Sequence, residues 1–402
     1  MTGHLIIGLN VAGVAALKAI REVDRAARIV AVSGEAHLPY SRVLLPRYLA
    51  GQAERAAMLL EPAEFYRAEG TRAIWGRRVV SLDHERRTAV LDDGATIDFD
   101  RALIAAGSSP TLPEHLAGPG VTGLRTLEDA ALIRERALAG TRVAIGGGGP
   151  VGVKLACALA ELGIRPTLIV ASGRILSQIA DPEAASLAQR RLEMRGVEVR
   201  LGADITCALR GRAGLEAVQL SDGTTVPCGL LVLCKGVAPN VAGMPSAVHG
   251  RYGIAVDGTM ATRLPGLYAA GDVAETRDLV DGQMRVAAIF PNASAQGRIA
   301  GKNMAGSTAV FDGSLTRNAL DVLGLPLISI GLVAVSLDAR HAVRATRTAG
   351  SYRKLVYREG LLVGALLVGE VMDAGALQAC IRRNLAGGSG IDGRRQFMVE
   401  AG

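Results

Sequence analysis

Two glycine-rich turns carry the chemistry most plainly written in this chain: Gly8-Leu9-Asn10-Val11-Ala12-Gly13 and, about 140 residues later, Gly147-Gly148-Gly149-Pro150-Val151-Gly152. Each follows an apolar strand and opens an alanine-rich helix. The first backbone N–H groups of such a helix have no partner within it and lie at the positive end of its dipole, so a pyrophosphate fits there. Two such turns predict two dinucleotide sites facing one another, as a flavin enzyme with a second nucleotide substrate requires. Gly13 lets helix and strand pack closely. Asn10 stands where a second glycine is usual, and Asn is the non-glycine residue that best tolerates the left-handed conformation expected at that position. Leu267-Tyr268-Ala269-Ala270-Gly271-Asp272 is a strand that ends in a carboxylate beside a glycine, where it can approach a polyol.

The elements that must hold these groups alternate strand and helix. Residues 4–7 read as a buried parallel strand, 14–23 as the returning helix and 28–32 as the next strand, a βαβ unit of the expected length. Strands are expected within 73–91, followed by a hairpin-like turn at Asp92-Asp93-Gly94, and at 101–106 before the small-residue turn around Gly107. A second βαβ unit runs through strand 142–145, helix 153–162 and strand 166–170, and strand 230–233 closes it near Gly236. A helix is expected at 292–304. Beyond residue 315 the pattern turns antiparallel, with apolar strands at 327–335 and 361–368, a hairpin at Glu359-Gly360, and a helix at 374–383. The stretch 387–395 is rich in Gly and Arg and is expected to be loosely ordered. The fold expected is α/β, two dinucleotide-binding Rossmann-like domains, the second inserted in the first, plus a C-terminal α+β interface domain. The boundaries read as 1–115 with 245–314, then 116–244, then 315–402.

Bulk composition removes several function classes. The 402 residues exceed one core, and the few aromatics argue against base-stacking nucleic-acid platforms. The net charge of +7 comes from arginines spread along the chain, not from a basic tail, so a nucleic-acid arm is not indicated, while a basic face that steers an acidic partner fits. The five cysteines, Cys157, Cys207, Cys228, Cys234 and Cys380, form no C-x-x-C pair and have no metal-ligand spacing. No metal site is expected, and the thiols suit a reducing, cytoplasmic compartment. The first strand begins too early to leave room for a signal peptide, and 361–369 is too short to span a bilayer, so no membrane insertion is expected.

At this point the chain resembles the pyridine nucleotide–disulfide oxidoreductase superfamily. Beyond the two turns, the likeness rests on Pro39-Tyr40-Ser41-Arg42, Ala105-Ala106-Gly107, Gly236-Val237-Ala238-Pro239-Asn240, the stretch ending at Asp272, and Pro291-Asn292-Ala293 with Gln296-Gly297-Arg298. These occur in family order over residues 4–305. The resemblance implies that Gly8, Asn10, Ala12 and Gly13 form the pyrophosphate turn for FAD, and that Asp272, after Gly271, bonds its ribityl chain. Ser33 occupies the place of the usual ribose-binding acid, and Glu35 is its expected substitute. Arg42 resembles the family arginine near the FAD phosphates, and Arg47 takes the place of a lysine beside the flavin. Val79, Ala106, Gly107, Pro291 and Asn292 complete the expected FAD contacts, with the helix near Asn292 aimed at the flavin.

Disulfide-exchanging members carry a redox cysteine in the segment matching residues 40–46. Here Val43 holds that position and no cysteine precedes Cys157, which excludes thiol relay through that segment. The pattern is most similar to rubredoxin and ferredoxin reductases, nitrite reductase flavin domains, and the flavin subunits of phenylglyoxylate or tungsten aldehyde oxidoreductases. That company implies an enzyme passing electrons between NAD(H) or NADP(H) and an iron–sulfur partner through FAD, as a homodimer or within a hetero-oligomer. The nicotinamide site is expected at Gly147, Gly149, Pro150, Val151 and Gly152, with Ser172, Arg174 and Gly236. It departs from the family pattern twice: Lys154 replaces a glutamate, and Val170 replaces the ribose acid. Ser172 and Arg174 tilt the choice toward NADP. An alternative is an FAD dehydrogenase subunit that oxidises a small substrate and keeps a vestigial nicotinamide site.

Overall fold

The computed structural model describes residues 3–212, 214–334, 338–348 and 350–386. The 387–395 stretch and the end of the expected 327–335 strand lie outside these residues. Five strands form a wholly parallel sheet in the order Leu267–Ala269, Arg101–Ile104, Gly3–Ile7, Arg28–Ser33, Thr71–Trp75. Gly3–Ile7 is buried throughout, which is why it reads as a continuous apolar run and not as an alternating one. The order reverses beside this strand, so the crevice at its C-terminal end is the place where an open parallel sheet receives a ligand. Gly8 and the helix Val11–Val23 begin there.

A second parallel sheet repeats the plan in the order Glu198–Leu201, Thr167–Val170, Val143–Gly146, Leu230–Leu233, Val121–Thr122. Its central strand runs into Gly147 and the helix Pro150–Glu161. The C-terminal part is a five-stranded antiparallel sheet, ordered Arg317–Asp321, Pro326–Gly331, Leu361–Val368, Tyr352–Arg358, His341–Arg347, with the helix Ala374–Ala386 packed against it. The expected hairpin is there: Glu359 and Gly360 both have positive φ, 53° and 80°, as a two-residue turn between twisted strands demands. Asp92-Asp93-Gly94 likewise turns Thr88–Leu91 into Thr96–Asp98.

Two small-residue stripes set the spacing around the first turn. In the helix Phe290–Met304, a Cβ added to Gly297 would lie 2.1 Å from the Ala12 carbonyl oxygen, and one on Gly301 would lie 2.3 Å from that of Ala16. Backbone therefore meets backbone. The N-terminal end of this second helix, with Pro291 in its first turn, is drawn to the same crevice as the end of the Val11–Val23 helix.

Candidate functional site

The glycines of the first turn are there because nothing larger fits. Gly8 has φ of 99°, a conformation strained for other residues, and an added Cβ would fall 2.2 Å from the Ala105 carbonyl oxygen. A Cβ on Gly13 would fall 2.2 Å from that of Gly8. Asn10 behaves differently from the expectation. Its φ of −133° and ψ of −153° are extended, not left-handed, and its side chain caps the helix by accepting from the Val11 N–H at 2.8 Å. The matching Gly149 of the second turn is also extended, and a Cβ there would meet nothing within 4 Å, so this position needs no glycine for backbone reasons.

Above the first turn lies a cavity of about 840 Å³. Gly8, Asn10 and Ala12 line it, as do Glu35, Arg42, Ala106 and Gly107 from the neighbouring strand ends. Gly271, Asp272 and Pro291 close another side. Glu35 is fixed at its post by three groups: the Tyr40 hydroxyl donates to it at 2.6 Å, Arg42 forms an ion pair with it, and its N–H donates to the Ser33 hydroxyl at 3.3 Å. Burial and the bond to Glu35 push the Tyr40 hydroxyl's pKa upward, so it stays a donor; its oxygen also accepts the Leu127 N–H at 3.1 Å. Gly271, at φ of 84°, donates to the buried Gln296 side chain at 2.8 Å, which orients the following Asp272. Asp272 accepts from Arg125 at 2.9 Å and from the Ser108 hydroxyl at 3.3 Å.

Arg125 and Arg78 are cavity-lining cations that the sequence reading missed. The signal for Arg125 was the Thr126 capping box: Thr126 accepts from the Asp129 N–H while the Asp129 carboxylate accepts the Arg125 and Thr126 N–H groups, pinning the residue just before the helix Leu127–Leu138. Three residues expected at the FAD site lie off the cavity wall. Arg47 is exposed near the end of the short helix Leu45–Leu49 and does not line the cavity, because Leu45 and Pro46 turn that way instead. Val79 packs against the core of the first domain, and its neighbour Arg78 takes the lining position. Asn292 is buried and is not part of the wall, which its neighbours Pro291 and Ala293 line.

The donor set suits an anionic dinucleotide. Arg42 and Arg125 line the cavity beside the start of the Val11–Val23 helix, each with a buried Nε that has no hydrogen-bond partner among the described residues, a donor set suited to phosphate and polyol oxygens. FAD fits these residues. Thiol chemistry does not: no cysteine lines the cavity, Val43 does, and burial pushes the Cys157 and Cys234 thiols up to about 12.

The second turn is built as tightly as the first. A Cβ on Gly152 would lie 1.9 Å from the Gly147 carbonyl oxygen, and one on Gly147, at φ of 118°, would lie 2.5 Å from that of Cys234. Pro150, Val151 and Lys154 line the cavity of the first turn, so the two turns serve one space. Gly236 has φ of 94°, and its carbonyl accepts the Thr111 N–H at 3.0 Å. Arg174 donates to the carbonyls of Ser177 at 3.3 Å and Ala180 at 3.5 Å, and the Ser172 hydroxyl donates to the Arg174 carbonyl at 2.8 Å. Both side chains are thus engaged within their own loop.

Residues 2–297 match the family model described as pyridine nucleotide-disulphide oxidoreductase, and residues 317–385 match the rubredoxin NAD+ reductase C-terminal domain. The chain is similar to the epsilon subunit of the NADH-dependent phenylglyoxylate dehydrogenase of Aromatoleum evansii, 30% identical, covering 95% of this chain and 92% of that protein. It is also similar to the ferredoxin–NAD(+) reductase component of the p-cumate 2,3-dioxygenase system of Pseudomonas putida, 35% identical over 67% of each chain. Among solved structures, the ferredoxin reductase for the CYP199A2 system from Rhodopseudomonas palustris superposes with a TM-score of 0.85 at 26% identity, covering 93% of both chains.

Proposed function

The chain belongs to the pyridine nucleotide-disulphide oxidoreductase family, and on that premise we propose that it is an FAD-dependent reductase that moves a hydride from a nicotinamide nucleotide to flavin and electrons onward to an iron–sulfur protein. The observation that carries this reading is the single cavity shared by Gly8 and Ala12 of one turn and Pro150 and Val151 of the other. Its relatives' names, a ferredoxin–NAD(+) reductase component and an NADH-dependent dehydrogenase subunit, support the same pair of partners.

When bound, FAD supplies the exchange between two-electron and one-electron chemistry. The N–H groups at the start of the Val11–Val23 helix, with Arg42, would bind its pyrophosphate. Asp272, paired with Arg125 at 2.9 Å, would accept from the ribityl hydroxyls. Glu35, held by Tyr40 and Arg42, would accept from the adenosine ribose. Val43, Leu45 and Pro46 line the cavity where disulfide-exchanging family members carry a redox cysteine. With no cysteine in that wall, bound FAD would exchange electrons with its acceptor without a thiol relay. With Arg174 engaged in its own loop, NADH is the donor expected to serve better than NADPH. The five free cysteines are consistent with a cytoplasmic location, and no described helix is long and apolar enough to cross a membrane.

The test is anaerobic stopped-flow reduction of the bound flavin by each nucleotide. Rapid bleaching by NADH followed by reoxidation with an added ferredoxin or rubredoxin is expected. No bleaching with either nucleotide would overturn the reading, and bleaching by a small organic acid alone would favour a substrate dehydrogenase with a vestigial nicotinamide site.

A further inference from the structure

Lys154 stands one helical turn beyond Pro150, on the same face of the helix Pro150–Glu161, and both line the shared cavity. Of the other charged groups of that wall, Arg78 is solvent-exposed and the rest are engaged. Glu35 and Asp272 are paired with Arg42 and Arg125, and Arg317 is hydrogen-bonded to Gln378. Lys154 is half-buried and has no hydrogen bond or ion pair among the described residues. A half-buried cation without a carboxylate is costly unless something else in its surroundings is negative. Burial also holds its pKa below the usual lysine range.

We infer that Lys154 is the fixed cation of the flavin–nicotinamide junction, stabilising negative charge on reduced flavin and weakening the hold on oxidised nicotinamide. This rests on the function proposed above. The electron count explains why one ammonium acts on both products. NADH gives up a hydride, two electrons and one proton, and its ring becomes a cation; the flavin ring that accepts them and takes no second proton becomes an anion. A positive charge beside that junction attracts one product and repels the other. The consequence is directional: flavin stays reduced and the spent nucleotide leaves.

The experiment uses the FAD-loaded protein and the variants Lys154→Met, Lys154→Gln, Lys154→Glu and Lys154→Arg. Two readouts need no nicotinamide: the two-electron midpoint potential by dye equilibration, and the affinity for sulfite, which adds to a flavin ring that can bear negative charge. Met and Gln are each expected to lower the equilibrium constant for flavin reduction at least tenfold, about 30 mV for a two-electron couple. Sulfite binding should weaken in parallel, Glu should do more, and Arg should stay within threefold of the parent. NAD+ should bind at least threefold more tightly to the Met and Gln proteins than to the parent. Unchanged potential and sulfite affinity in Met, Gln and Glu alike would overturn the inference. If the parent protein is not reduced by NADH or NADPH, the proposed function fails instead, and the potentials still decide the role of Lys154.

Discussion

At the residue scale, the pair Asp272–Arg125 makes the most direct prediction. Asp272→Ala removes the ribityl acceptor and leaves a largely buried guanidinium without its carboxylate, so FAD affinity, read by flavin fluorescence titration, should fall at least tenfold, about 1.4 kcal/mol. Asp272 was legible because a carboxylate at a strand end beside a small residue is chemically pointed. Arg125 was not, since it approaches from 147 residues away along the chain, and only the Thr126 cap marked its place. Glu35 was found as an acid two residues beyond the usual position, but its anchoring by Tyr40 depends on a fold contact that spacing does not reveal. A different residue governs acid stability. His4 is 2% exposed, neither ring nitrogen has a partner among the described residues, and burial first, then Arg101, lowers its pKa to about 4. The unfolded chain takes up this proton near pH 6.5 while the folded chain resists it, so stability is full above 6.5 and declines as pH falls toward 4. The loss between pH 7 and pH 5 should be about 2 kcal/mol. Urea melts at the two pH values check it, and His4→Leu should flatten the difference.

At the element scale, the two turns can be disabled separately. Gly152→Ala forces a Cβ onto the Gly147 carbonyl, and should abolish flavin reduction by NADH while FAD remains bound. Gly13→Ala should do the reverse and release FAD, because its clash is with Gly8. Flavin content after gel filtration and stopped-flow bleaching distinguish the outcomes. Thr126→Val removes the cap of the helix that presents Arg125 and should cost about 1 kcal/mol, seen as a lower Tm, with FAD affinity falling as well. The strand–turn–helix units were legible because buried parallel strands are continuous apolar runs and their glycines answer to backbone contact. The helices Leu127–Leu138 and Pro182–Glu193 escaped the reading although Thr126-x-x-Asp129 and Asp181-Pro182 signal their starts. Such caps are short, and without a flanking glycine turn they do not stand out from loops.

For the whole molecule, one apolar core joins parts that are distant in sequence. Ile133, Ala156 and Leu192 pack in the same cluster as Leu320, Leu327 and Leu366 of the C-terminal sheet. Asp181 reinforces the junction: it caps the helix Pro182–Glu193 through the Ala184 N–H, accepts the Tyr352 hydroxyl at 2.6 Å, and lies 3.3 Å from the Lys354 ammonium. The second nucleotide-binding unit and the C-terminal sheet should therefore unfold together. Leu366→Ala, at a fully buried site, should cost about 2–5 kcal/mol and lower one shared calorimetric transition instead of splitting it. None of this docking was visible in the sequence, where apolar strands such as Leu361–Val368 read as core without naming what they would cover. The first unit shares that core through Tyr40, Leu45, Leu49 and Met58, and within it two helices meet without side chains. Where Gly297 and Gly301 rest on Ala12 and Ala16, no rotatable side chain separates the two helices. The gap between two electropositive helix ends is consequently a rigid gauge, set by main-chain thickness and indifferent to side-chain repacking elsewhere. Even a single added methyl there should detune cofactor binding from outside the cavity wall.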